Sequence, residues 1–188
     1  MFGALAPHVR IVTVAERPGP VKSHQGPQAL AEHSFDDAPR LDLLLLPGGI
    51  GTLRELENPA LLDFLRARAP EALVTMSVCT GSAILAKAGL LDGRRATSNK
   101  QVFALAVAQS DRVHWVERAR WVDEGAVVTS SGVSAGTDMA LGVIARLWGR
   151  ERAEQIAEFT EYSWQSDPDE DAFHRLLNAS MDKLAAGG

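Results

Sequence analysis

The sequence predicts an α/β fold: a doubly wound, mostly parallel sheet with helices on both faces, formed by residues 1–188 as a single domain. Three observations carry this reading. Short apolar runs alternate with helix-forming segments along the chain, the order that sets parallel strands side by side with helices crossing between them. Leu41–Leu46 is a short apolar run cut off by Pro47-Gly48-Gly49, as in a strand covered on both faces and stopped by a turn. A second run, Leu73–Val78, passes through Cys79 directly into the helix-forming stretch Ser82–Ala88.

The elements follow in order. His8–Ala15, with Val9, Ile11, Val12 and Val14, reads as a buried strand ended by Pro18 and Pro20. Val21–Phe35 is polar, contains Gly26-Pro27, and suits a loop or hairpin. Asn58-Pro59 supplies a cap and a first-turn proline to a helix whose apolar stripe is Leu61, Leu62 and Leu65 and which Pro70 stops. Gly89 closes the helix after Cys79. Gln101–Gln109 reads as helical, and Arg118–Val122 and Ala126–Ser130 as strands turning at Glu124-Gly125. Gly136–Trp148 and Glu151–Tyr162 read as helices separated by Gly149. The tail, residues 185–188, is expected to fray.

Composition narrows the function. The 188 residues are 46% hydrophobic and 23% charged, a mixture suited to a globular domain with a sizeable core. A net charge of -5 offers no electrostatic attraction to nucleic acid or an anionic membrane. No stretch reaches the roughly 18 apolar residues of a membrane span, and the first residues lack the pattern of a signal peptide. A cytoplasmic protein acting on a small molecule is the expectation. The single cysteine excludes an internal disulfide and a multi-cysteine zinc site, so it is either a buried small hydrophobe or a reactive thiol.

Its setting favours reactivity. Thr75–Ser82 runs from strand to helix with Ser77 two residues before Cys79 and Gly81 two after. A nucleophile elbow needs this, because a residue held in a sharp strained turn tolerates only small neighbours at those positions. The thiol then stands at a helix N-terminus, where free amides and the helix dipole favour the thiolate. Thr80 N–H is the natural donor to a developing oxyanion or imidate nitrogen, and Gly48-Gly49 at the end of the neighbouring strand could supply a second. In open α/β sheets ligand sites lie along that edge.

These residues resemble the ThiJ/PfpI superfamily, the class I glutamine-amidotransferase-like proteins of flavodoxin-like architecture. The resemblance runs in order and spacing through Asp42–Gly49, Ser77–Gly81, Ala88–Thr97 and Thr129–Asp138 to Glu161-Tyr162 with Trp164. Cys79-Thr80-Gly81 and Gly132–Asp138 look most like the branch holding isonitrile hydratases and the sensor domains of certain transcription activators. Proteolytic members have a histidine after the cysteine, where Thr80 stands here, and the late His-x-Glu pair of glutaminases is absent. The resemblance implies that a first strand and a loop bearing a carboxylate lie upstream of Met1, with Met1–Leu5 matching the interior of the first family helix. It also implies a homodimer, and Ser98 and Asn99 as pocket lining.

The remaining candidates read as structural. His8, His24, His33, His114 and His174 have no metal-ligand spacing between them, and neither metal nor cofactor is expected. Asp138, opening an apolar helix, reads as a cap or dipole partner. Trp164–Phe173 fits either a cover over a neighbouring pocket or a surface helix. Three functions follow, the third being a ligand-sensing or stress-related module that keeps the fold without turnover. In the first, the Cys79 thiolate attacks the terminal carbon of an isonitrile, the upstream carboxylate supplies a proton, and water releases an N-substituted formamide. In the second, Cys79 is a non-enzymatic redox or stress sensor oxidised to a sulfinic acid held by backbone donors.

Overall fold

The computed structural model describes residues 1–180; the tail at residues 185–188 lies outside the described residues. A 3₁₀ turn, Phe2–Leu5, leads through an extended stretch to a hairpin of β1 (Gly19–Lys22) and β2 (Gln28–Ala31). β3 (Leu43–Leu46) is followed by a short α1 (Thr52–Glu55) and by α2 (Pro59–Arg68). β4 (Val74–Val78) runs into α3 (Gly81–Lys87). β5 (Arg95–Ala96) and β6 (His114–Trp115) pair in parallel around α4 (Phe103–Val107). β7 (Trp121–Asp123), β8 (Val127–Ser130), α5 (Val133–Trp148) and α6 (Arg150–Phe159) complete the domain.

The main sheet has the order β3-β4-β8-β7. Its first three strands are parallel and β7 runs antiparallel to β8, through a turn in which Gly125 holds φ 79°. Leu46 pairs with Ser77 and Ser77 with Thr129, so the carboxyl ends of β3, β4 and β8 are level. The three loops that leave them start from one edge.

Local chemistry explains the helices that cover the sheet. Asn58 caps α2, its Oδ1 accepting from Ala60 N at 3.0 Å and Leu61 N at 3.3 Å, and Pro59 fills the first position, where no amide is needed. Leu61, Leu62 and Leu65 then face Ile84, Leu85 and Ala88 and the Leu44–Leu46 side of β3. On the opposite face Val74, Met76 and Val128 meet Met139 and Val143 of α5, beside Trp121. α6 packs outside α5, with Leu5 sealed against Ile144 and Ile156. Gly136 allows α5 to approach β4 closely: a Cβ there would lie 2.7 Å from Val78 Cγ1.

Three sequence-based expectations are corrected. His8–Ala15 is no strand of the sheet; it is held by a single bridge, Val14 to His33, and Ile11 is 59% exposed. Its apolar residues have no neighbouring strand to bury them, and its hydrogen bonds run to Glu32 and His33 instead. β3 is covered on one face only, Leu44 and Leu46 being buried and Leu45 half exposed, because β3 forms an edge and α5 lies over the sheet's middle. The helix expected over Glu151–Tyr162 is α6, which ends at Phe159, short of Tyr162.

Asp138 is the third residue after Ala135 on α5 but caps nothing. Fully buried, it takes Arg120 Nη2 at 2.6 Å and Nε at 2.8 Å on Oδ2. Its Oδ1 accepts from the Tyr162 hydroxyl and Gln165 N, while its carbonyl accepts from Trp164 Nε1. Arg120 Nη1 also reaches Asp171 at 3.4 Å. Burial, and next the Asp138 carboxylate, raise the Tyr162 pKa above its usual value, so the phenol remains the donor. One buried cluster thus joins the start of β7, α5 and the strap from Tyr162 to Asp171. Because an unpaired buried charge remains when one partner goes, Asp138→Ala should lose about 3–5 kcal/mol in urea unfolding. A loss below about 1 kcal/mol would contradict this account of the strap.

Candidate active site

Cys79 stands between β4 and α3 with φ 60°, a conformation that costs an L-residue on the order of 1–3 kcal/mol and persists only where its surroundings over-determine it. They do so here. Its N–H donates to Ser131 O at 2.9 Å and Ser130 O at 3.2 Å, and its carbonyl accepts from Ser82 Oγ at 3.1 Å and Ser98 Oγ at 3.2 Å. The small neighbours are required by contact. A Cβ on Gly81 would lie 2.5 Å from Leu46 O, and Ser77, two residues before the cysteine, is fully buried.

Cys79 is partly buried, and among the described residues its sulfur has one side-chain partner: Asn99 Nδ2 donates to Sγ at 3.2 Å. The amide orientation follows from its other end, since Asn99 Oδ1 accepts from Gln101 N at 2.9 Å, leaving the nitrogen to face sulfur. A donor aimed at sulfur suits a thiolate, which only accepts. Gly132 leaves room for this amide; a Cβ there would sit 3.2 Å from Nδ2.

Gly49 plays a different part from the one expected of it. Gly49 N–H is committed to Thr80 Oγ1 at 2.9 Å, and that hydroxyl also meets Thr52 Oγ1 at 2.8 Å. Gly48 is a packing glycine: its Cβ would fall 2.5 Å from Thr80 N and 2.6 Å from Thr80 Oγ1. The pair therefore clamps Thr80 beside Cys79, and Gly49 cannot double as a free second donor. Ser98, expected to line the pocket, is fully buried and instead locks the Cys79 carbonyl. His8, His24 and His114 are exposed, and His33 lies 4.0 Å from Asp37. Among the described residues neither a histidine nor a carboxylate hydrogen-bonds the sulfur.

Sequence reasoning missed the charged wall behind Asn99. A cavity of about 330 Å³ shares Asn99, Ser131 and Gly132 with the surroundings of Cys79, and Lys100, Arg120 and Asp171 are among its other lining residues. Phe173, at the end of the Trp164–Phe173 stretch, also lines it. Lys100, 2% exposed, gave no signal in the sequence, since a lysine carries no mark of burial.

Known proteins resemble this chain. Residues 4–146 match the DJ-1/PfpI family. An isonitrile hydratase of Pseudomonas putida is 36% identical over 165 residues, covering 85% of this chain and 69% of that protein. The HTH-type transcriptional regulator GbdR of Pseudomonas aeruginosa is 34% identical over 148 residues, covering 76% of this chain and 38% of the regulator. The chain thus spans well under half of that regulator's length. A ThiJ/PfpI family protein from Pseudomonas syringae superposes with a TM-score of 0.77 at 33% identity, covering 95% of this chain and 74% of that one. Drosophila melanogaster DJ-1beta shares the fold, with a TM-score of 0.67 at 24% identity over 78% of this chain and 79% of its own.

Removing the amide should slow the thiol without unfolding the protein. A hydrogen bond to a charged group is worth roughly 1.5–3 kcal/mol, so Asn99→Ala should alkylate with iodoacetamide at neutral pH at least about tenfold more slowly than the parent. An unchanged rate would mean that the Asn99 contact does nothing for the sulfur.

Proposed function

The chain belongs to the DJ-1/PfpI family, and from that premise we propose that it is a cysteine-dependent hydratase converting a small isonitrile to its N-substituted formamide. One observation carries the reading: Cys79 is held on a strained elbow with the Asn99 amide aimed at its sulfur. The identity to an isonitrile hydratase over most of the chain supports it.

The chemistry balances with the thiol alone. Cys79 sulfur forms a bond to the terminal carbon of R–NC and the thiol proton goes to the same carbon, giving the thioimidate Cys79–S–CH=N–R. Water adds to that carbon, nitrogen takes a proton, and the C–S bond breaks to release R–NH–CHO and restore the thiol. In this reading Asn99 holds the sulfur in its attacking position, and Thr80 N–H donates to the substrate nitrogen. Gly48 and Gly49 keep Thr80 in place. Ser98 keeps the elbow closed. No cofactor enters the sequence of steps.

The same sulfur suits oxidation, because a half-exposed lone cysteine beside an N–H donor can hold a sulfinate without a resolving thiol. Peroxide followed by intact-mass measurement tests that sensor reading separately. We place the hydratase in the cytoplasm, and among the described residues no helix is long and apolar enough to cross a membrane. A homodimer belongs to the same reading, since β3 is an open edge with Leu45 50% exposed and uncovered edges invite pairing.

Incubation with an alkyl isonitrile should yield the corresponding formamide, detected by proton NMR, at a rate that Cys79→Ser reduces to background. Formation of the formamide by the serine variant at the parent rate would remove Cys79 from the mechanism. Light scattering should give twice the 20.2 kDa chain mass; a monomer at micromolar concentration would contradict the paired edge.

A further inference from the structure

The turn that carries Asn99 is held in place from the far end of the chain. Asn99 Nδ2 reaches the Cys79 sulfur because its Oδ1 is fixed by Gln101 N. That amide lies in a 3₁₀ turn, Lys100–Val102, which runs into α4. On its inner side, the buried Lys100 ammonium donates to Thr97 Oγ1 at 2.8 Å and Ala119 O at 2.6 Å and lies over the Phe103 ring. Asn178 supplies a separate fastening.

Asn178 makes two contacts with this segment. Its N–H donates to Lys100 O at 2.7 Å, and its Oδ1 accepts from Ala104 N at 2.8 Å. First-turn amides of a helix have no partner within it, and Val102, at the cap position of α4, has no polar side chain to offer one. Asn178 therefore caps α4 from 74 residues away. It does so at φ 58°, a left-handed conformation that asparagine tolerates better than most L-residues. Ser180 adds a third contact, its Oγ donating to Gln101 Oε1 at 3.0 Å. Together these bonds fix the turn, and a hydrogen bond from it to the sulfur weakens steeply once its donor is misaligned.

We propose that Asn178 is a positioning residue for the Cys79 thiol: by capping α4 it holds the turn from which the Asn99 amide reaches the sulfur. It acts through Asn99 alone. The segment after the 3₁₀ turn Ala172–Leu176 thereby sets the reactivity of an elbow built from β4 and α3. This role goes beyond the hydratase reading and does not rest on it, since the Asn99 contact serves the thiol in any chemistry.

Asn178→Gly in the full chain tests it, because glycine accepts φ 58° and keeps the N–H, so that only the Oδ1 acceptor is lost. Iodoacetamide at neutral pH should alkylate Asn178→Gly at least about threefold more slowly than the parent, as expected for one weakened hydrogen bond. General loosening would do the opposite, exposing the partly buried thiol and speeding the reaction. In an Asn99→Ala background the same change should alter the rate by less than about 1.5-fold, since the two side chains act through one contact. Asn178→Asp keeps an oxygen acceptor and should stay within about twofold of the parent. An unchanged or faster rate for Asn178→Gly, an equal slowing with and without Asn99, or Asn178→Asp as slow as Asn178→Gly would each overturn the proposal. Absence of formamide from the parent would contradict the hydratase reading alone, because these rates are read on the thiol.

Discussion

One backbone conformation organises the functional edge of this protein. Cys79 sits at φ 60°, where an L-residue is uphill, and it stays there because every polar group of its peptide unit is used. Its N–H is shared between the carbonyls of Ser130 and Ser131, and its own carbonyl is held by Ser82 and Ser98. The strain therefore depends on the level register of β4 and β8, on the first turn of α3 and on the loop after β5. Move any of these and the elbow relaxes. The close approaches of Gly81 to Leu46 O and of Gly48 to Thr80 are the steric counterpart of the same constraint. They bring the end of β3 so near the start of α3 that no side chain fits between.

A second constraint works at longer range. The Arg120–Asp138 pair is buried between β7 and α5, and a buried pair seldom adds net stability beyond what apolar packing would give. Its consequence is positional. It fixes the strap from Tyr162 to Asp171 and holds α5 at the height where its N-terminus meets Gly132 and Asn99.

Much of this was legible in the sequence, for identifiable reasons. The Leu run of β3, the Asn58-Pro59 cap and the small residues flanking Cys79 each announce local structure, because local sterics and capping decide them. Placement across the fold was less visible. Leu45 reads as a buried strand residue and is half exposed, since burial on the second face depends on which neighbours a strand acquires. Gly49 reads as a free donor and proves to be bound to Thr80. Asp138 reads as a cap because its partner Arg120 lies 18 residues away in a different element. Ser98 and Asn99 were both identified, but only the fold shows that one locks the peptide and the other meets the sulfur. Lys100, next to them, left no trace at all.

The central claim is that Cys79 itself bonds to the substrate carbon. Rapid acid quenching of the protein with an alkyl isonitrile in excess, followed by intact-mass and peptide analysis, tests it directly. The account predicts a transient adduct equal to the mass of one isonitrile on the peptide containing Cys79, rising before formamide and decaying as substrate is exhausted. Formamide released at full rate with no adduct on that peptide at any time point would contradict it.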